Sequence, residues 1–323
     1  MLSLFLPVGL CWSEKLLSTV SQIVLDKMGK AYTANLSSVF LAAGDTDLVS
    51  HPAKVGAWMS YVERPPFNFK GFNHWHFTRQ PYVPKEFGQI PSQIDNDNLI
   101  SNVMEMSDDI YKGSTKRSWP LAFSMKILFA GVCDIHTPLH VSEYFSSEFP
   151  NGDQNGRLYE VVYKGQKTNL FDVYETGCGL DENLQATYDE SFWNDVKDLA
   201  DNLLEDFKFV SKKFSRTEIT AQNATTYQYT VDKIYSLVKP GGELTTEMIN
   251  ECQSHTRDMM RLAAERLVYI LNGSTIHAQR LEKIPYTTPL STSEMVAWSL
   301  MFILAPYTAF LVWKKHCASN VST

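Results

Sequence analysis

The chain has 323 residues, of which 44% are hydrophobic and 20% are charged, and its formal net charge is −7. This composition is that of a globular protein with a proper core, and it excludes a disordered chain. The acidic balance, with no block of lysine and arginine interleaved with aromatic residues, argues against binding of polyanions by bulk electrostatics. A phosphate-containing ligand would therefore need positive charge from metal ions.

The first predicted element is a short signal peptide. Residues 1–11 are apolar and end in Gly-Leu-Cys, as a secretory signal and its cleavage site do, although no basic residue precedes the apolar run. Cleavage after Cys11 would make Trp12 the first residue of the mature chain.

Four segments have the apolar pattern of helices, and each stripe is interpreted as core: residues 16–28, 119–133, 192–207 and 248–270. The first stops at Gly29, a common residue just after a helix, and the last follows an acidic first turn at Glu247. Helices are therefore predicted to form most of the domain.

One convincing strand signal is present. Residues 158–163 turn at Lys164 and Gly165 toward residues 167–170, which predicts a single β-hairpin. Residues 60–98 are rich in Pro, Asn, Phe and Gln and predict long loops, which in a compact helical domain are often functional.

Residues 295–313 predict a membrane span. The stretch carries no charge, has a tryptophan near each end and is followed at once by two lysines. A buried C-terminal helix is the alternative. The lysines predict that residues 314–323 lie in the cytosol, so residues 12–290 would form an ectodomain at the cell surface or in a secretory-pathway membrane.

Sequons and cysteines agree with an ectodomain without proving one. Glycosylation sequons begin at Asn35, Asn223 and Asn272. Cys178 and Cys252 could pair with each other, and Cys133 is predicted to be buried in a helix, so no disulfide scaffold is implied.

The segment DIHTPLH at residues 134–140 is the strongest candidate for a metal-binding site in the sequence. It presents one carboxylate and two imidazoles at the end of a predicted buried helix, and Pro138 is expected to stop that helix. Catalytic zinc uses histidine nitrogen and carboxylate oxygen, and Asp134 and His140 could supply two ligands. The alternative is a C-cap, in which imidazoles interact with the last carbonyl groups of the helix.

Separated segments of the chain occur in the order of one family: Trp12, then residues 57–58, 75–77, 131–140, 152–153, 167–170 and 261–263. From about Trp12 to Asn272 the chain resembles the class I zinc nucleases, which include single-strand-specific nucleases and membrane-anchored 3'-nucleotidase/nucleases. The resemblance implies a mostly α, multi-helix fold shared with zinc phospholipase C, here with one small β-hairpin and a C-terminal transmembrane helix.

The resemblance also implies a trinuclear zinc site that hydrolyses phosphate esters, with Asp134 as the metal-bridging catalytic carboxylate. Five family ligand positions retain a residue that can bind zinc: Trp12, His76, Asp134, His140 and Glu175. Four hold a residue that cannot: Leu17, Ser60, Ala130 and Phe171. The cofactor is therefore one to three zinc ions if the protein is active, or none.

Substrate binding is expected at Phe77 and Arg79. An arginine and an aspartate of the family are here Glu63 and Arg79, so the charges are exchanged, and a salt bridge of reversed polarity could persist between them. Arg64 could replace the lost cation, or lie on the surface. His74 and His136 are candidate replacement ligands, although Pro138 argues against a pair of His136 with His140.

Two functions follow from these observations. The first is a membrane-anchored ecto-nuclease or 3'-nucleotidase with a reduced zinc cluster, acting on single-stranded nucleic acid or 3'-nucleotides. The second is a catalytically inactive surface protein that keeps the nuclease fold to bind a ligand or partner, since loss of zinc ligands usually costs large factors in affinity and rate. No protein partner is identifiable from the sequence.

Overall fold

Helices make up most of the computed structural model, which describes residues 12–88, 96–112, 118–182, 186–205, 207, 209 and 215–273. These residues fall in the unit Met1–Glu282, and the predicted signal peptide, membrane span and tail lie outside the described residues. The α-helices are α1 (Glu14–Met28), α2 (Lys30–Ala42), α3 (Thr46–Ser50), α4 (Trp58–Glu63), α5 (Leu99–Lys112), α6 (Ser118–Ile135), α7 (Pro138–Val141), α8 (Leu170–Glu175), α9 (Glu190–Leu204), α10 (Arg216–Tyr229) and α11 (Thr246–Gly273). The predicted mostly α fold is confirmed.

The long helices begin and end where local signals place them. The Ser13 hydroxyl accepts a hydrogen bond from the backbone N–H of Leu16 and caps the start of α1. Gly29 follows α1 with a φ of 84°, a conformation that glycine adopts without the steric penalty of a Cβ atom. Helix α9 covers most of the third predicted apolar segment, and α11 covers the fourth.

Helix α6 lies in the core of the domain, packed against α1, α2, α5 and α11. Among the described residues it is the one helix long and apolar enough to cross a membrane, but 83% of its apolar window is buried inside the protein. It ends at Ile135, before Pro138. Contrary to expectation, Pro138 does not itself end the helix but occupies the first turn of α7, where a missing N–H is tolerated.

The described residues form two small sheets, where the sequence predicted one hairpin. The hairpin is confirmed as β3 (Glu160–Tyr163) and β4 (Gln166–Asn169), joined by Lys164 and Gly165, both with positive φ. The missed sheet pairs β1 (Gln80–Tyr82) with β2 (Ser142–Tyr144) in parallel. Strands of three residues have no usable alternation, and this pairing joins segments far apart in the chain.

The segment 60–98 contains more regular structure than predicted. Helix α4 extends into it to Glu63, a short 3₁₀-helix covers Asn73–His76, and strand β1 follows. The remaining described part of this segment is loop and turn, as expected, and residues 89–95 lie outside the described residues.

A disulfide joins the start of α11 to the turn after α8. Cys178 and Cys252 are bonded with a Cα–Cα distance of 6.1 Å, and Cys133 is a buried free thiol in α6, as the sequence suggested. The sequon at Asn223 does not fit a glycan in this structure. Its side chain is buried and its carbonyl oxygen accepts a hydrogen bond from the hydroxyl of Thr78 at 3.0 Å.

Candidate metal centre

Four of the five predicted metal-binding residues bring their side chains together in the interior. Asp134 is in the last turn of α6, His140 is on α7, Glu175 is the last residue of α8, and His76 ends the 3₁₀-helix. All four side chains are fully buried. Ligand atoms of His76, Asp134 and His140 lie within 4.8 Å of one another, close enough to hold one metal ion.

Hydrogen bonds fix the ring of His140. Its Nδ1 lies 2.7 Å from the carbonyl oxygen of His76, and because a carbonyl oxygen only accepts, Nδ1 carries a hydrogen atom and donates it. The other ring nitrogen, Nε2, is 3.1 Å from Oε1 of Glu175. Asp134 Oδ1 lies 3.4 Å from His140 Nδ1. The arrangement therefore aims His140 Nε2 at Glu175.

The ring of His76 is fixed in a similar way by Asp134. His76 Nδ1 is 2.8 Å from Oδ2 of Asp134. Since an ionised carboxylate only accepts, Nδ1 donates this bond and leaves Nε2 as the acceptor nitrogen. A carboxylate that orients an imidazole from one ring nitrogen is common behind histidines that bind metal with the other.

Glu63 is a member of this centre that the sequence interpretation did not include. It is fully buried at the end of α4, and its Oε1 lies 3.7 Å from Nε2 of His76. Its spacing in the sequence could have indicated this role, because Glu63 is three residues after Ser60 and residues three apart are neighbours on a helix surface.

The donor atoms of the centre fit a cation. Among the described residues, four buried atoms here have no hydrogen-bond partner: Glu63 Oε1, Glu63 Oε2, His76 Nε2 and Glu175 Oε2. Unpartnered buried polar atoms are rare because each costs about 1–3 kcal/mol. Two imidazoles and three carboxylates are also the ligand types that zinc accepts in catalytic sites.

Ionisation of the acidic groups follows from their surroundings. Burial raises the pKa of Glu63 and of Glu175, since charge is unfavourable away from water. Burial opposes protonation of His140, but the nearby carboxylates of Glu175 and Asp134 outweigh it and raise the pKa of the imidazole. The centre therefore holds excess acidic groups that a cation would stabilise in their ionised form.

Two aromatic rings and an arginine cover His140. The rings of Phe77 and Phe171 stack on it at 4.6 and 5.8 Å between centroids. The guanidinium of Arg157 lies 3.6 Å from the centroid of Phe171 and 5.3 Å from that of Phe77. Burial lowers the pKa of Arg157, while Glu175 and Asp172 favour its charge. Arg157 had no recognisable signal in the sequence.

Arg79 lies at the outer edge of this group. It is exposed, has a positive φ of 50°, and its guanidinium is 5.5 Å from the ring of Phe77. Phe77 itself is nearly fully buried against His140. A direct role of Phe77 and Arg79 in substrate binding stays a prediction.

The salt bridge that could have persisted between Glu63 and Arg79 does not form. Within the described part of the chain, Glu63 turns inward toward His76, and the charge on Arg79 acts on Glu143. Arg64 is not a free surface residue either, because its guanidinium pairs with the buried carboxylate of Glu14. Neither Arg64 nor Arg79 therefore occupies the position over the centre, which Arg157 holds.

The two candidate replacement histidines lie away from the centre. His74 is half exposed, with Nε2 3.0 Å from Oδ2 of Asp97. His136 is buried, but Nδ1 lies 2.6 Å from the carbonyl oxygen of Val132 and Nε2 contacts Arg266. Both rings are thus engaged elsewhere.

Three of the four positions without a ligand are closed by apolar packing, and the fourth, Ser60, is not. Leu17, Ala130 and Phe171 are fully buried in apolar clusters, and Ser60 is buried with its hydroxyl oxygen unpartnered. Trp12 is also buried, and the backbone N–H of the next residue donates to the carbonyl oxygen of Glu175 at 2.8 Å. Whether Trp12 offers a free amine depends on residues 1–11, which lie outside the described residues.

A mostly helical domain that gathers histidines and carboxylates around one buried aspartate has the ligand types of a zinc enzyme. The family model of the S1/P1 nucleases matches residues 16–275, and the chain belongs to this family of zinc-dependent nucleases. No curated protein matches the chain.

Proposed function

We propose that this protein is an ecto-nuclease or 3'-nucleotidase that hydrolyses phosphate esters of single-stranded nucleic acid or 3'-nucleotides. Its zinc centre would have fewer ligands than the family's. The observation that carries the proposal is the buried group of His76, Asp134, His140 and Glu175 with unpartnered donor atoms. A fold retained only for stability gains nothing from such atoms, because each is unfavourable without a partner.

The residues of the centre have separable tasks. Asp134 lies between the two imidazoles and would hold both halves of the centre together. His140 and Glu175 would bind one ion, and His76 is available for another. When bound, zinc supplies a Lewis acid that polarises the phosphate ester and lowers the pKa of water.

Arg157 is proposed as the cation that contacts the phosphate. Its guanidinium lies 3.6 Å from the centroid of Phe171, a ring that stacks on His140, and planar guanidinium groups bind phosphate oxygens in pairs. It would stabilise the charge that develops on the phosphate oxygens in the transition state. Substrate would reach the buried centre past Arg157, Phe77 and Phe171, which cover it.

The alternative, an inactive nuclease fold retained for binding, is favoured by a different observation. Leu17, Ala130 and Phe171 are not empty ligand positions but well-packed parts of the core. Loss of four ligands would then have removed activity while the fold persisted. The proposed anchoring by residues 295–313, with the domain outside the cell, is common to both functions.

Hydrolysis by full-length protein decides between the two. Single-stranded DNA, RNA and 3'-AMP are offered to wild type that has been stripped with chelator and reloaded with zinc. We expect hydrolysis that requires zinc and disappears in Asp134→Asn. Asp26→Asn, an exposed aspartate of α1, is the matched control and should retain full activity. A folded, zinc-loaded wild type that hydrolyses none of the three substrates would establish the inactive alternative.

A further inference from the structure

We propose that Glu63 is a metal ligand that replaces the carboxylate missing at Ser60, so that Glu63 and His76 Nε2 form a zinc site separate from the one at His140 and Glu175. The identity of the metal rests on the proposed function. Nothing in the family's own ligand set assigns Glu63, because that position holds a cation in the relatives that the chain resembles.

The position of Glu63 on α4 allows the replacement. Ser60 and Glu63 are one turn apart on the same helix, where side chains at such spacing meet. Both are buried, and the hydroxyl oxygen of Ser60 is unpartnered along with both carboxylate oxygens of Glu63. A glutamate is one methylene longer than an aspartate. The carboxylate of Glu63 can therefore reach back to the metal site that an aspartate at position 60 would bind.

The hydrogen bond of His76 with Asp134 leaves the other ring nitrogen of His76 facing Glu63. Asp134 engages Nδ1, so the lone pair of Nε2 faces Oε1 of Glu63 at 3.7 Å with no hydrogen bond between them. Two acceptor atoms that face each other in the interior are unfavourable without a proton or cation between them. Nitrogen and oxygen ligands of a tetrahedral zinc ion, each about 2 Å from it, are about 3.3 Å apart. The observed separation is close to that value.

No cationic side chain of the described residues takes the place of a metal ion between Glu63 and His76. Lys70 is the nearest candidate on the same segment, but its Nζ donates to the backbone carbonyl oxygen of Glu63 at 2.7 Å and its side chain is exposed. Arg157 acts on Glu63 only at longer range, as part of the cover over His140. The carboxylate of Glu63 is therefore directed at His76 and not at a salt-bridge partner.

Zinc content tests the proposal without reference to activity. Full-length wild type, Glu63→Gln and Glu265→Gln are stripped with chelator, reloaded with zinc and assayed for metal per chain and for the rise in Tm that zinc produces. We expect Glu63→Gln to bind one zinc fewer than wild type and to lose part of the rise in Tm. Glu265→Gln, a buried glutamate of α11 outside the centre, should match wild type.

A second variant tests the replacement itself. Ser60→Asp combined with Glu63→Gln returns a carboxylate to the preceding turn and should regain the missing ion. If Glu63→Gln does not fold, Glu63→Asp is used instead. It moves the carboxylate back by one methylene and should lower the affinity for that zinc ion at least about tenfold.

Three results would overturn the proposal: an unchanged zinc content and affinity in Glu63→Gln, no zinc in wild type, or no recovery in the double variant. A wild type that binds the ion but hydrolyses nothing defeats the proposed function and leaves Glu63 as a ligand. An active enzyme with the same zinc content in wild type and Glu63→Gln would defeat the role of Glu63 as a ligand and leave the proposed function standing.

Discussion

His140 Nε2 lies 3.1 Å from Oε1 of Glu175, and both side chains are fully buried. Because His140 donates its Nδ1 hydrogen to the carbonyl oxygen of His76, the neutral ring faces Glu175 with a lone pair. The pair is satisfied by a shared proton, which the raised pKa values of both groups favour, or by a cation. A metal ion would replace that proton without moving either residue far.

Substitution Glu175→Gln is therefore expected to weaken zinc binding by at least about tenfold, because an amide is a poor zinc ligand and also satisfies His140 Nε2 by donating to it. Competition with a chromogenic chelator measures the affinity. The control is Glu86→Gln, an exposed glutamate of the loop after β1. Equal zinc affinity in wild type and Glu175→Gln would remove Glu175 from the centre.

Substitution Arg157→Gln is expected to lower kcat/KM by about 10–100-fold while zinc content stays that of wild type, since the guanidinium would act on the phosphate and not on the metal. Lys167→Gln serves as the control, because Lys167 is exposed and its Nζ pairs with Oε1 of Glu160 at 2.8 Å. Unchanged kcat/KM in Arg157→Gln would exclude this arginine from substrate binding.

Substitution Ala130→His restores a family ligand type at a closed position, and we expect it to destabilise the protein without adding a zinc ion. Ala130 is fully buried among Met59, Phe72 and Ile127, so an imidazole overfills the cluster at a cost of about 1–3 kcal/mol. Urea unfolding and metal analysis measure the two effects, with Ala130→Ser as a small polar control. An extra zinc ion with unchanged stability would show that the position is still open.

Asp153 should make stability depend on pH. Burial raises its pKa to about 6, although Tyr235 Oη and the backbone N–H of Tyr144 donate hydrogen bonds to it. The folded state therefore holds a proton that the unfolded state releases near pH 4, so the contribution of Asp153 to stability is largest at low pH and is lost as pH rises through about 6. About two pKa units correspond to about 2–3 kcal/mol.

The neutral variant Asp153→Asn isolates this contribution. Urea unfolding at pH 4 and pH 7 should show a loss of stability with rising pH that is smaller in the variant than in wild type by about 2–3 kcal/mol. Other titrating groups, such as His255, are present in both proteins and cancel in the comparison. The same pH dependence in both proteins would show that Asp153 stays ionised when buried.

Reduction of the Cys178–Cys252 disulfide is expected to lower the free energy of unfolding by about 4 kcal/mol, because the bond closes a loop with a sequence separation of 74 residues. Denaturant unfolding with and without reductant measures the effect. In a Cys178→Ala/Cys252→Ala variant the reductant should change nothing, since Cys133, the other cysteine among the described residues, is a free thiol. A wild type insensitive to reductant would show that the bond does not stabilise the fold.

The sequence alone determined the features that depend on neighbouring residues. Helical spacing of apolar residues placed α1, α9 and α11, and the Lys164-Gly165 turn placed the hairpin. The segment at residues 134–140 pointed to Asp134 and His140 as candidate metal ligands, and the structure brings their ligand atoms together. These signals work because helix periodicity, turn conformation and ligand spacing are properties of a short stretch of chain.

Only the tertiary structure decided the features that join distant segments. The parallel pairing of β1 with β2, the approach of Glu63 to His76 and the position of Arg157 over Phe171 bring together residues between 13 and 62 positions apart. In the sequence, Glu63 stands where the family has an arginine, which indicates only the loss of a cation. In the folded protein, the carboxylate of Glu63 turns inward toward His76. The orientation of a side chain depends on what packs around it, which no local pattern specifies.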